Sequence, residues 1–197
     1  MTPAQVQTLF EESGALLSGH FQLTSGNHSN RYLQCALVTQ HPGHAASLAD
    51  ALAGRFKDQD VDVVLGPAVG GIVLAQEVAQ ALYRQGRRQV RAIFCERVDG
   101  RMALRRGFSL SSGERVLAVE DVVTTGGSVQ EAVALAQAAG CTVVGVGCLV
   151  DRSSAPPQLG APLVSLLKVN ADLFPPDNCP LCRQGLPAIK PGSRGLK

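Results

Sequence analysis

Residues 116–128 hold the feature that most limits how this chain can fold. An apolar run ends in two adjacent acids, Glu120 and Asp121, and a short loop rich in glycine and hydroxyl groups follows. An apolar, helix-like run then begins at Ser128. This pattern predicts a buried strand that presents two carboxylates at its C-terminal edge, followed by a helix. Loop amides, hydroxyl groups and a helix N-terminus bind anions, while paired acids bind a diol or a metal ion.

The alternation of strand and helix extends over most of the chain. The predicted strands are 61–65, 90–95, 115–119, 142–150 and 163–169, and the predicted helices are 3–17, 45–56, 72–83 and 128–139. This order predicts an α/β fold with a parallel twisted sheet flanked by helices, because parallel strands need crossover connections. Ligands of such sheets bind beyond the carboxyl ends of the strands. The polar stretch 19–32 has strand-like flanks, and the tail from Pro175 is predicted to be irregular.

The composition indicates one folded domain. The chain has 197 residues, of which 45% are hydrophobic and 17% charged, so it can bury a core. Its net charge of +2 gives little reason to expect nucleic-acid binding. We expect a cytoplasmic protein, because we find neither a signal peptide nor a membrane-spanning run. Four cysteines in apolar segments are interpreted as reduced core residues: Cys35, Cys95, Cys141 and Cys148.

A second glycine-rich loop follows the first predicted strand, at residues 65–71. Gly66, Gly70 and Gly71 permit backbone conformations that other residues avoid, and they let amides approach an anion closely. Taken alone, this loop is equally compatible with a generic turn between a strand and a helix.

Together these segments resemble the type I phosphoribosyltransferases, and the orotate phosphoribosyltransferases in particular. Residues 120–128, Glu-Asp-x-x-Thr-Thr-Gly-x-Ser, resemble the signature that binds phosphoribosyl pyrophosphate (PRPP). Residues 66–72 and 19–32 resemble the second loop and the N-terminal signature of the orotate enzymes. The resemblance covers most of residues 19–170. It implies a single domain in which a core at about 41–169 binds PRPP. A small hood of about 1–40 and 170–197 would cover the base site.

The resemblance implies how PRPP and a metal ion are bound. Glu120 and Asp121 would hold the ribose hydroxyls, the amides of 124–128 the 5′-phosphate, and the second loop the pyrophosphate. The implied PRPP contacts are Val69, Gly70, Gly71, Arg97, Arg106, Glu120, Asp121, Val122, Val123, Thr124, Thr125, Gly126, Gly127 and Ser128. Mg²⁺ is the implied cofactor, bound near Asp121 through PRPP and water without a direct protein ligand. Many family members have a lysine where Gly70 stands.

A long basic segment, residues 96–109, separates two predicted strands. A loop of this length inside a compact domain is usually functional, and the planar arginine fork pairs with two phosphate oxygens. Family enzymes have a mobile catalytic loop here that closes over PRPP, often across a dimer interface. The resemblance therefore implies a homodimer in which the 97–108 loop reaches the neighbouring site. The implied catalytic residues are Asp121, Glu120, Arg97, Arg101 and Arg105.

That assignment rests on position and charge, because the commoner orotate enzymes have lysines and a histidine in this loop. A solvated basic β-hairpin is the alternative interpretation of the segment.

The base-binding end is implied by residues that follow other strands. In the orotate enzymes an arginine at the position of Arg152 binds the substrate carboxylate, and Thr124 helps it. Such a cation sets orientation and specificity. The alternative is an ion pair with Asp151 or another acid. The resemblance also assigns Thr24, Arg31 and Tyr32 to the orotate site, although family members usually have lysine at the site of Thr24.

Cys179 and Cys182 form a Cys-x-x-Cys pair, which is half of a tetrahedral zinc site. No second pair has the right spacing, although His41, His44 or a second subunit could supply ligands. Structural zinc and a labile disulfide stay open beside free thiols, which are the default interpretation. His20 and His28 are interpreted as structural or exposed residues of a polar segment, not as catalysts.

The activity implied by the resemblance is the transfer of a phosphoribosyl group from PRPP to orotate. The products would be orotidine 5′-monophosphate and pyrophosphate, in pyrimidine biosynthesis. Two alternatives stay open at this point. One is a transferase for a purine base, in which Arg152 would be dispensable. The other is a PRPP-sensing regulator that binds nucleic acid, for which the missing loop lysines and histidine are the best support.

Overall fold

The computed structural model describes residues 1–23, 25–86, 89–170 and 172–191. The helices are α1 (Pro3–Glu12), α2 (Ala36–Thr39), α3 (Pro42–Ala53), α4 (Gly70–Arg84), α5 (Gly127–Ala138) and α6 (Pro180–Arg183). The strands are β1 (Leu16–Gln22), β2 (His28–Leu33), β3 (Val63–Pro67), β4 (Arg91–Val98), β5 (Arg101–Leu104), β6 (Arg115–Val123), β7 (Thr142–Asp151), β8 (Leu163–Lys168) and β9 (Leu173–Phe174). Short 3₁₀ turns lie at Gly54–Phe56 and Pro176–Asn178. In these ranges we find no helix that combines the length and the apolar character needed to cross a bilayer.

The larger sheet confirms the predicted α/β architecture. Its strand order is β5-β4-β3-β6-β7-β8, and every neighbouring pair is parallel except the β4–β5 hairpin. The hairpin corrects the prediction of a long open loop at 96–109. β4 continues to Val98, and β5 turns back along it from Arg101. The alternative interpretation, a basic β-hairpin, describes the backbone of residues 96–104.

Helices cover both faces of this sheet, which is why its strands are almost wholly apolar. Along β3, Val64 packs with the core on the side of α1, α3 and α4, whereas Val63 and Leu65 pack on the side of α5. Successive side chains of a strand point to opposite faces, so a strand buried on both sides reads as a continuous apolar run. This explains why the central strands were predictable from the sequence.

The sheet opens between β3 and β6. β3 pairs with β6 only through Val63–Leu65, whereas β6 continues beside β7 as far as Val123. The order in which strands are added to the sheet also reverses here, since β4 lies on one side of β3 and β6 lies on the other. In open α/β sheets such a switch point forms a crevice for ligands.

A smaller antiparallel sheet, β1-β2-β9, joins the two ends of the described chain. Ile189 also bridges to Phe21 of β1, and the Gln22 amide donates to the Ile189 carbonyl at 2.8 Å. These contacts bring the C-terminal segment onto the β1–β2 hairpin, and the expectation that they form a hood over the base site stays a prediction. The tail from Pro175, predicted to be irregular, therefore contains a 3₁₀ turn and α6.

The predicted helix 3–17 is too long. It ends at Glu12 because Gly14 adopts a left-handed backbone with φ of +69°, and the Ala15 amide donates back to the Phe10 carbonyl at 2.8 Å. A left-handed glycine after the last turn is a common helix terminator. Residues 16 and 17 consequently belong to β1.

Candidate active site

The two acids lie near the C-terminal end of β6. The predicted strand ended at residue 119, but pairing with β7 extends it through Glu120 and Asp121. The Asp121 amide donates to Glu120 Oε1 at 3.2 Å, and the Val122 amide donates to Asp121 Oδ1 at 2.8 Å. Burial, and then the neighbouring Asp121 charge, raise the pKa of Glu120 to about 8. The pair would thus be stabilised by a cation or by hydroxyl donors, so its oxygens fit Mg²⁺ chemistry.

The segment after the acids forms a pocket of about 230 Å³. Gly126 is the N-cap of α5 and has φ of +83°, a conformation that favours glycine. A Cβ there would lie 2.6 Å from Leu159 Cδ2. The pocket is lined by Arg97, Glu120, Val122, Val123, Thr124, Thr125, Gly126, Gly127, Ser128, Val129 and Glu131. A small polar pocket at the N-terminus of a twelve-residue helix is suited to a phosphate group.

The second glycine loop faces the acid pair across the opening in the sheet. A Cβ on Gly70 would lie 2.5 Å from Asp121 Oδ2, so only glycine fits here without a displacement. Gly66 and Gly71 pack backbone against backbone, because a Cβ on Gly66 would overlap the Gly71 carbonyl. Val69 caps α4 with 81% of its surface exposed, and the Ala68–Val69 peptide is cis. Both predicted loops therefore border one crevice.

The basic segment contributes one of its predicted arginines to the pocket. Arg97 lines the pocket and forms an ion pair with Glu131, at 2.8 and 3.3 Å. Glu131 also accepts from the Met102 amide at 3.1 Å, so it connects α5 to the hairpin.

The other three arginines lie outside that pocket. Arg106 pairs with Glu96 at 3.0 Å, and Arg105 Nε is 4.0 Å from the same carboxylate. The Arg106 guanidinium also lies 5.7 Å from the centre of the Phe94 ring. Arg101 is exposed at the start of β5.

Arg152 follows β7 at the same edge of the sheet. Its amide donates to the Val123 carbonyl at 2.8 Å, and its half-buried position lowers the pKa of its guanidinium. The predicted alternative of an ion pair with Asp151 is wrong. Asp151 instead accepts from Ser153 Oγ at 2.6 Å and from Lys168 Nζ at 3.0 Å. Within the described ranges, no carboxylate lies at ion-pair distance from Arg152.

Cys35 connects the hood to this edge. Its Sγ lies 3.8 Å from the Asp121 carbonyl, and the chain reaches it just after β2 ends. Burial, and then the Asp121 charge, raise the pKa of the Cys35 thiol well above its usual value, while Arg152 lowers it. Cys35 therefore stays a neutral packing residue between the acid pair and Arg152.

Comparison with known proteins identifies the family to which the chain belongs. Residues 36–177 match the phosphoribosyl transferase domain model. The orotate phosphoribosyltransferase of Desulforamulus reducens is 54% identical over the full length of both chains, and that of Pelotomaculum thermopropionicum is 52% identical over the same share. The chain belongs to the orotate phosphoribosyltransferase family. It is therefore an enzyme of the pentosyltransferase class.

Solved members of the orotate phosphoribosyltransferase family share the fold. The Mycobacterium tuberculosis enzyme, in a complex with inorganic phosphate, superposes with a TM-score of 0.67 at 26% identity. The match covers 84% of this chain and 95% of that one.

The residues that the family resemblance assigns to the base are placed only in part. Thr24 lies outside the described residues. Tyr32 lies on β2 with its ring 5.8 Å from that of Phe21, and Arg31 is its neighbour in the strand. The end of β2 leads to Cys35, so this strand approaches the edge that carries Asp121 and Arg152.

Two features of the site were not predicted from the sequence. Glu131, the partner of Arg97, lies one turn into α5, where the only available signal was an acid near a helix N-terminus. The Cys179–Cys182 pair does not meet His41 and His44, which lie beside each other at the start of α3. The cysteines meet His20 and His28 instead.

Proposed function

We propose that this enzyme transfers the phosphoribosyl group of PRPP to orotate, giving orotidine 5′-monophosphate and pyrophosphate in pyrimidine biosynthesis. The observation that carries the proposal is the crevice between β3 and β6. It brings the acid pair, the pocket at the N-terminus of α5 and the second glycine loop to one edge of the sheet. The full-length relatives named for orotate support that base over a purine.

Each part of PRPP has a chemically matched partner. The 5′-phosphate fits the pocket at 124–128, where backbone amides and the positive end of α5 favour an anion. The ribose hydroxyls fit Asp121 and Glu120, whose shared negative charge needs donors or a cation. Pyrophosphate fits beside Val69, Gly70 and Gly71, because the two glycines have no side chains to keep it from the backbone.

Mg²⁺ fits the same place as PRPP. Carboxylate and phosphate oxygens are its preferred ligands, and Asp121 and Glu120 would hold it through water or through the ribose hydroxyls. When bound, it supplies positive charge that stabilises the departing pyrophosphate.

The reaction needs little acid–base chemistry from the protein. The ring nitrogen of orotate attacks the anomeric carbon and loses its acidic N–H proton to water or to a pyrophosphate oxygen, while the bond from that carbon to pyrophosphate breaks and pyrophosphate leaves with the electron pair. The protein therefore acts mainly by positioning the reactants and by stabilising charge. Arg152 and Thr124 orient the orotate carboxylate, and Arg31 and Tyr32 of β2 contact the base. The assignment of Thr24, which lies outside the described residues, stays a prediction from the resemblance.

The arginines are proposed to take the charge of pyrophosphate. Arg97 borders the pocket assigned to the 5′-phosphate, and when PRPP binds it exchanges Glu131 for a phosphate oxygen of PRPP. Arg101, Arg105 and Arg106 reach the substrate only if the hairpin moves or if a second subunit is involved. Exposed ion pairs such as those with Glu96 and Glu131 are weak enough to be exchanged in this way.

A homodimer would bring the hairpin close to a neighbouring site. A groove of about 350 Å³ beside the hairpin is lined mainly by apolar residues, including Ile72, Val73, Phe94 and Phe108. Val73 is 47% exposed. A second copy of the chain is the proposed occupant, because the groove is continuous with the segment 97–108. The cytoplasmic location stays a prediction from the sequence.

The test is the loss of orotate absorbance with PRPP, measured with and without Mg²⁺. We expect orotate to be consumed only when PRPP and the metal are both present, with release of pyrophosphate. A parallel panel of hypoxanthine, xanthine and adenine should give no pyrophosphate. Consumption of a purine instead of orotate would contradict the proposed base. PRPP binding without turnover of any base, together with salt-dependent binding to nucleic acid, would favour a regulator.

A further inference from the structure

Four potential metal ligands converge in the hood, away from the acid pair. His20 Nε2 lies 2.8 Å from His28 Nδ1, 3.5 Å from Cys179 Sγ and 3.7 Å from Cys182 Sγ. Cys182 Sγ also lies 3.3 Å from His28 Nδ1. All four ligand atoms lie within 4.8 Å of one another. His20, His28 and Cys179 are buried, and Cys182 closes the exposed side.

These separations match the edges of a small tetrahedron. Zinc–sulfur bonds of about 2.3 Å and zinc–nitrogen bonds of about 2.0 Å give sulfur–nitrogen edges of about 3.5 Å. The three observed sulfur–nitrogen distances lie around that value. The nitrogen–nitrogen distance is shorter than the corresponding edge of about 3.3 Å, so the two imidazoles would separate by a few tenths of an ångström on binding.

The surroundings also prepare His20 as a ligand. Its Nδ1 lies 2.8 Å from the Leu186 carbonyl oxygen, which can only accept a hydrogen bond. Nδ1 therefore carries the proton in the neutral ring, and Nε2 presents its lone pair to the cluster. A ligating histidine whose other nitrogen donates to a carbonyl is the usual arrangement in zinc sites.

The geometry points to a structural Zn²⁺ site formed by His20, His28, Cys179 and Cys182. Two thiolates and two imidazoles suit zinc, and four protein ligands leave no open position for catalysis. The ligands come from β1, β2 and the start of α6, so the ion fastens the C-terminal segment onto the N-terminal hairpin. None of these four residues is assigned to PRPP or orotate, so the zinc site can be tested separately from the proposed function.

The first test is the metal content of the full chain, purified under reducing conditions without added metal or chelator. We expect one zinc ion per chain. Replacement by Co²⁺ should give the visible absorption of a tetrahedral thiolate site. Chelation should lower the melting temperature by at least about 5 °C, because binding free energy of a structural zinc is folding free energy.

Variants identify the ligands. Cys182→Ser and His28→Asn should reduce the zinc content to background, whereas Cys141→Ala and His41→Asn should leave one ion per chain. Cys141 is a buried cysteine outside the cluster, and His41 is an exposed histidine on another element. Zinc retained equally by the ligand variants and the controls would overturn the assignment.

A further measurement on the unsubstituted chain does not depend on whether the variants fold. The exposed Cys182 thiol should react slowly with a thiol reagent when zinc is present and many times faster after chelation. If the reduced, folded chain contains no zinc, takes up none in a competition titration, and shows the same thiol reactivity with and without zinc, the cluster is a set of hydrogen-bonded free side chains. The proposal would then be wrong.

Discussion

Gly70 lies so close to Asp121 that a Cβ at position 70 would be 2.5 Å from the Asp121 Oδ2 atom. The second glycine loop and the acid pair are therefore fitted to each other across the crevice. A side chain at position 70, such as the lysine that the family resemblance implies for many members, would require the Asp121 carboxylate to turn aside. Pyrophosphate at this position would contact backbone and arginine instead.

Gly70→Ala tests that fit. The added methyl group must displace either the loop or the Asp121 carboxylate, and we expect kcat/KM for PRPP to fall at least about tenfold, which is 1.4 kcal/mol of transition-state stabilisation. Gly43→Ala is the matched control, since a Cβ there meets nothing within 4 Å and the position is helical. Steady-state kinetics that change equally in the two variants would contradict the fit.

The raised pKa of Glu120 predicts a pH dependence of stability. The folded chain binds a proton at Glu120 up to about pH 8, whereas an unfolded glutamate releases it near its ordinary value. The folded state therefore binds more protons in the window between them, and its stability falls as the pH rises through that window.

Glu120→Gln removes this contribution. The substrate-free melting temperature of the variant should decline less between pH 5 and pH 8 than that of the unsubstituted chain, measured by calorimetry in matched buffers. Glu12→Gln, at an exposed position of α1, provides a control for a general loss of charge. Parallel pH profiles for the Glu120 variant and the unsubstituted chain would show that Glu120 is not held protonated.

Arg152 is expected to set the preference for a carboxylated base. It is half-buried, and Asp151 is occupied by Ser153 and Lys168. Arg152→Ala should raise KM for orotate by at least about tenfold, the range of a lost charged hydrogen bond, and change KM for PRPP far less. Arg55→Ala, in the 3₁₀ turn after α3, is a remote control. An equal rise in both KM values would remove Arg152 from the base site.

Arg97 should matter more for turnover than Arg101. Arg97 borders the phosphate pocket, whereas Arg101 lies outside it, so Arg97→Ala is expected to lower kcat at least about tenfold and Arg101→Ala less. Arg84→Ala removes a comparable exposed ion pair, with Asp50 at 2.7 Å, and should leave kcat unchanged. The melting temperatures of all three should stay close, because surface ion pairs contribute little. If Arg101→Ala is the more damaging change, the hairpin works in a different arrangement.

The parts of the molecule that sequence predicts well are those encoded by neighbouring residues. The strand, acid pair, loop and helix at 116–138 are contiguous, so their order alone places two carboxylates beside a helix N-terminus. The ends of strands depend on pairing with residues that are distant in the sequence. β6 extends beyond residue 119 because β7 supplies hydrogen-bond partners up to Asp151, and no residue within β6 predicts this extension.

Contacts between segments that are distant in the sequence could not be predicted. Glu131 and Arg97 are 34 positions apart and meet only because α5 packs under the β4–β5 hairpin. His20 and Cys179 are separated by 159 positions. His20 comes close to His28 because the register of the β1–β2 hairpin sets Gln22 opposite His28. The sequence held the Cys-x-x-Cys half of that cluster but no pattern that selected its histidines.

The backbone hydrogen bonds between β1 and Ile189, and the pairing of β2 with β9, have a consequence for folding during synthesis. The strands of the six-stranded sheet are synthesised before residues 173–189, yet β1 and β2 need those residues to complete their own sheet. Domains generally fold as they emerge, N-terminal parts first. In this chain the β1–β2 hairpin is made first but completes its sheet only after residues 173–189 have been made.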